Sequence, residues 1–100
     1  MPYKVKFLDA AVKAYDSIMT YLSQFYPSTP KSFRTALKKC EQNLKDNPYM
    51  YPVYDDRPIF RKAVVQKYIL LYTVDDENYL VKIHHIIPGV WDISKHIEVK

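Results

Sequence analysis

The apolar periodicity of this chain predicts an α+β domain, and three observations carry that prediction. One short segment alternates polar and apolar residues, the next two repeat at helical spacing, and the last three are again rich in β-branched and aromatic residues. The expected order is a strand, a helical hairpin, then a three-stranded antiparallel meander, forming one twisted sheet with helices on one face. One hundred residues hold a single core, so residues 1–100 form one domain.

Tyr3, Val5 and Phe7 alternate with Lys4 and Lys6, as an edge or exposed strand requires. From Leu8 the period changes: Leu8, Val12, Tyr15, Ile18 with Met19, Leu22, and Phe25 with Tyr26 lie on one helical stripe. Asp9 falls in the first turn, where a carboxylate complements the helix dipole. Pro27 and Pro30 bracket the break that follows. Thr29 before Pro30 is a cap residue before a residue suited to the first helical position, so a second helix starts there. Phe33, Leu37, Cys40 and Leu44 form its buried stripe, and Asn47-Pro48 ends it.

Residues 48–58 hold three prolines and three tyrosines without a period, which predicts a tethered loop. Strands are then expected at Ile59–Val65, Tyr68–Val74 and Tyr79–Ile87. Gln66-Lys67 joins the first pair at hairpin spacing, and Asp75 to Asn78 forms an acidic turn between the second pair. Pro88-Gly89 breaks the last strand, and Val90 to Ile97 either closes as a helical turn or lies extended.

Composition narrows the classes of function. Nearly half the residues are apolar and only one is Gly, which excludes a disordered chain. The net charge of +4 favours anionic partners. A lone Cys40 has no partner for an internal disulfide and reads as a buried thiol in a reducing compartment. No segment is long and apolar enough to span a bilayer and no signal peptide is evident, so a cytoplasmic location away from membranes is expected.

The candidate contact residues follow from charge and position. Arg61 and Lys62 point to opposite faces of their strand, so only one of them meets a target on the open face. Arg57 and Lys67 occupy loops, where contacts concentrate. Tyr49, Tyr51 and Tyr54 offer flat rings to a nucleic acid or a partner chain, whereas Tyr15 and Tyr21 suit packing. Simple alternation sets His85 with Val81, Ile83 and Ile87 on the more apolar face and His84 beside Lys82 toward solvent. His84, His85 and His96 lack zinc-ligand spacing, so neither a metal nor a cofactor is expected. Trp91 suits a cover over one end of the core.

Arg61-Lys62 before a Val-Val strand, Tyr68-Ile69-Leu70-Leu71-Tyr72 as central strand, the acidic turn, and Val81-Lys82-Ile83-His84-His85-Ile86-Ile87 before Gly89 and Asp92 together resemble the RelE/ParE superfamily of type II toxin–antitoxin toxins. The resemblance covers essentially the whole chain. It implies a small bacterial growth inhibitor neutralised by a cognate antitoxin, whose acidic amphipathic segment folds onto the cationic face. RelE-like members cleave messenger RNA on the ribosome, and ParE-like members act on DNA gyrase.

On the first alternative, an endoribonuclease, Arg61 and His85 are the catalytic candidates, and Arg57, Arg61, Lys62, Lys67 and Tyr54 bind the target or nucleic acid. Against that pattern, Ile69 follows Tyr68 where ribonuclease members place an arginine. Pro88 precedes Gly89, and Val90-Trp91 precede Asp92, where such members carry a basic turn. The second alternative is a non-enzymatic gyrase inhibitor. The third is a degenerate toxin that binds only its antitoxin.

Overall fold

The computed structural model describes residues 2–26 and 29–89; residues 90–100, which include Trp91, His96 and the expected closing segment, lie outside the described residues. The element order is β1 (Lys4–Phe7), α1 (Asp9–Phe25), α2 (Thr29–Asp46), β2 (Arg61–Val65), β3 (Tyr68–Asp75) and β4 (Leu80–Pro88). The sheet order is β1-β4-β3-β2, with β1 parallel to β4 and the other neighbours antiparallel. Both helices pack on one face, as the periodicity predicts.

Phe33, Leu37, Cys40 and Leu44 are all buried, so the stripe of α2 is the expected one. On α1 the expected stripe holds in its middle and departs at its ends. Ala11 and Leu22 are buried, with Ala14, Tyr15, Ile18 and Met19 packed beside them, whereas Val12, Phe25 and Tyr26 are exposed. α1 lies against β4, and Ala11 is fully buried in the core while Val12 beside it is exposed. The main core joins these residues to Ala63, Val65, Leu70, Tyr72, Val81, Ile83 and Ile86 of the sheet.

The join between β1 and α1 has no side-chain cap. Instead the Leu8 amide donates to the Ile83 carbonyl at 3.0 Å, fastening the helix entrance to the sheet. The two-residue turn between β2 and β3 sets Gln66 at φ 55°, the left-handed conformation that a tight hairpin demands. In the acidic turn, Asp75 accepts from both the amide and the side chain of Asn78, and this hydrogen bonding lowers its pKa.

β2 begins at Arg61 rather than Ile59. The chain from Tyr54 to Phe60 closes on itself instead: the Tyr54 amide donates to the Phe60 carbonyl, and the Phe60 amide to the Arg57 carbonyl. That turn lifts Ile59 into solvent, 76% exposed. A second departure lies in β4. Leu71 pairs with His85 but Tyr72 with Ile83, so a β-bulge inserts His84 as an extra residue and reverses the alternation beyond it. Ile86, not His85, therefore joins Val81 and Ile83 in the core.

Candidate functional site

The face of the sheet opposite the helices follows from these registers. Since Val5 and Phe7 pack into the core, Lys4 and Lys6 project to the other side, and Lys6 pairs in register with Lys82. The same alternation puts Thr73, Leu71 and Ile69 of β3 and Lys62 of β2 on that face. The bulge adds both histidines. Four lysines and two imidazoles thus share a surface whose strands contribute one carboxylate, Asp75.

Part of this surface is covered, although not by the helices. Phe60 folds from the loop onto Ile69 and Leu71, with Tyr54 and Ile87 packed alongside, making a small second core. The ring of Phe60 lies edge-on to both imidazoles, with centroids 5.1 Å from His84 and 5.9 Å from His85. The imidazole centroids are 6.3 Å apart. His84 Nε2 shares a 2.9 Å hydrogen bond with Thr73 Oγ1. Partial burial, with His85 and Lys82 nearby, lowers the pKa of His84, so its ring is neutral near pH 7. Lys62 flanks the pair across Leu71, two strand spacings or about 10 Å from His85.

Arg61 lies elsewhere. It pairs in register with Tyr72 and so projects to the helix side, where its Nη1 donates to the Tyr51 carbonyl at 2.7 Å. Its guanidinium carbon stands 4.9 Å from the centre of the Tyr49 ring. The loop there is further held by Tyr72, whose hydroxyl donates to the Pro48 carbonyl, and by Asn43, whose amide donates to the Tyr51 hydroxyl. Tyr49 and Tyr3 each donate a hydroxyl to Asp76, at 2.5 and 2.7 Å. Those donors hold the Asp76 carboxyl below the usual carboxylate range, and the bond to Asp76 pushes the Tyr3 phenol up to about 12. Arg57 and Lys67 are exposed in their turns, Arg57 at the covering loop and Lys67 at the opposite end of the sheet.

Of the residues singled out from the sequence, the structure brings Lys62, His85 and Tyr54 to one face and separates Arg61 and Lys67 from them. Lys4, Lys6, Lys82 and His84 were not singled out. The alternation of Lys4 and Lys6 contained part of the signal, while the bulge that brings His84 and His85 together had no signature of its own.

Comparison with known proteins adds the family. Residues 5–89 match the model of the ParE toxin of the type II toxin–antitoxin system parDE. The chain belongs to this family of toxins. Solved structures with the same fold include the chromosomal ParDE system of P. aeruginosa, 12% identical over 86% of this chain and 95% of that one, with a TM-score of 0.70. The RelBE2 toxin–antitoxin complex of Mycobacterium tuberculosis is 22% identical over 88% of this chain and 99% of that one, with a TM-score of 0.63. A mutant of the E. coli toxin RelE in the free state is 23% identical over 89% and 85%, with a TM-score of 0.64. A search of curated proteins found no match. The chain is therefore a toxin of the ParE family, with a fold that the RelE structures share. Among its described residues no helix is long and apolar enough to cross a membrane.

Proposed function

We propose that this toxin arrests growth by cleaving messenger RNA at the ribosome, using the face that carries His84 and His85. The observation behind this reading is the pair of adjacent imidazoles on a lysine-bearing surface, one of them held neutral. In the tautomer whose Nε2 donates to Thr73 Oγ1, Nδ1 keeps the lone pair a general base needs. Nδ1 takes the proton of a ribose 2′-hydroxyl, whose oxygen attacks the adjacent phosphorus. The bond from phosphorus to the 5′-oxygen breaks, and His85 is the group on this face that delivers a proton to that leaving oxygen. Lys62 and Lys82 offset the charge that develops on the phosphoryl oxygens. The product ends are a cyclic phosphate and a 5′-hydroxyl. The ribosome supplies the positioning that so small a surface lacks.

Mapping transcript ends after induction in cells tests the reading. New 5′-hydroxyl ends inside translated messages are expected from the native chain and not from His84→Phe, which keeps an aromatic ring but has no base. Intact messages during growth arrest would remove cleavage as the cause.

A second reading, a ParE-like inhibitor of DNA gyrase without chemistry, is favoured by the family whose model matches and by Ile69 after Tyr68. It expects purified gyrase to lose supercoiling activity on adding the toxin, with His84→Phe as potent as the native chain. Unaffected gyrase would exclude it.

A further inference from the structure

The bulge that brings His84 and His85 to one face also removes the constraint that would aim them. Leu71 pairs with His85 and Tyr72 with Ile83, so His84 has no partner on β3, and at such an insertion the regular pleat no longer sets side-chain direction. Something else holds the imidazoles. His84 is tied at one nitrogen to Thr73 Oγ1, whereas the ring of His85 makes its contacts with Phe60 and with His84. Phe60 is common to both. Its centroid lies 5.1 and 5.9 Å from the two imidazoles, themselves 6.3 Å apart, so the three rings form a nearly even triangle. Phe60 is in turn fixed by the loop: its amide donates to the Arg57 carbonyl, its carbonyl accepts from the Tyr54 amide, and its side chain is buried with Ile69 and Leu71. The next residue, Arg61, is pinned to the Tyr51 carbonyl.

We infer that Phe60 is a positioning residue, whose ring sets the separation and orientation of His84 and His85 for the cleavage step without itself touching the reacting atoms. The inference rests on the cleavage reading. A base and an acid that serve one phosphodiester must be placed together, and a displacement of about 1 Å at such a site costs on the order of 100-fold in rate. A flat, rigid ring can abut two imidazoles at once, which an aliphatic chain of similar apolarity cannot do. Burial of apolar surface alone does not choose between the neighbours Ile59 and Phe60. The loop turns the aromatic ring onto the histidines and leaves Ile59 76% exposed.

The test measures cleavage of a defined message on translating ribosomes by the full chain, together with the χ1 couplings of both histidines by NMR. Phe60→Leu keeps an apolar side chain in the small second core. It is expected to lower kcat by about tenfold or more with KM within about twofold, and to average the χ1 couplings of His85. Phe60→Met, which fills more of the lost volume, is expected to match it. Phe60→Tyr keeps the ring and is expected to stay within about threefold of the native kcat. Ile87→Val trims the same core while leaving the three rings in place, and is expected to leave kcat unchanged. A native kcat in Phe60→Leu and Phe60→Met, an equal loss in Phe60→Tyr or Ile87→Val, or a loss confined to KM would overturn the inference. A native chain that leaves messages intact would refute the cleavage reading instead. The couplings then decide alone, since a single rotamer at His85 that survives Phe60→Leu would show that the ring does not place the imidazole.

Discussion

The guanidinium of Arg61 stacks on the ring of Tyr49 and donates to the carbonyl of Tyr51, so this cation fastens the loop after α2 to the helix side of the sheet. Its sequence neighbour Lys62 projects to the opposite face. The two adjacent cations therefore separate by role. Arg61→Ala is expected to lower stability by about 1.5–3 kcal/mol, the usual worth of a charged hydrogen bond, read from urea unfolding. Lys62→Ala should stay within about 0.5 kcal/mol of the native chain while weakening growth arrest. The reverse pattern would mean that Arg61 meets the target.

His84 supplies a pH dependence with a defined sign. Its pKa in the folded chain lies below the unfolded value near 6.5, chiefly through burial, so the unfolded chain binds the proton first. The stability associated with a neutral His84 is fully present above about pH 6.5 and is lost as pH falls through the folded pKa. Melting temperature should fall between pH 7 and 5 in the native chain and fall less in His84→Gln. Identical slopes would show that the ring protonates without cost in the folded state.

How much of this was legible in the sequence depends on which interaction sets each feature. The stripe Phe33, Leu37, Cys40, Leu44 was readable because helical spacing alone decides which residues of α2 face inward. The middle of the α1 stripe, Tyr15, Ile18, Met19 and Leu22, was readable for the same reason, but not its ends, where Ala11 is buried and Val12, Phe25 and Tyr26 are exposed. The placement of His85 failed as well. Alternation holds only while strands stay in register, and the bulge between β3 and β4 depends on pairing with a distant strand. Arg61 and Lys62 were correctly split between faces, although which of them lies on the face opposite the helices needed the register with Tyr72.

Phe33 anchors both layers, stacked on Tyr15 at 6.4 Å and edge-on to Tyr68 at 5.1 Å, and it is fully buried. Phe33→Ala should cost about 3–5 kcal/mol through lost contacts and the cavity left behind, while Phe25→Ala, at an exposed ring, should cost far less. Chemical denaturation of both variants measures this. Comparable losses would mean that the end of α1 is covered in solution.

Asp76 joins two segments far apart in sequence, because Tyr3 before β1 and Tyr49 after α2 donate to its separate oxygens. Its pKa is depressed, first by the Tyr49 bond and then by that from Tyr3. The associated stability is therefore present above the unfolded value near 3.9 and is lost as pH falls through the folded pKa. In acid titration followed by tyrosine fluorescence, the native chain should keep its signal to lower pH than the double variant Tyr3→Phe/Tyr49→Phe, which retains both rings but neither donor. Asp76→Asn should also be less stable than the native chain at pH 7, since a neutral amide accepts more weakly from two phenols. If the double variant instead unfolds at the same pH as the native chain, the tyrosines hold the loop through ring packing alone and the carboxylate is only a solvated turn residue.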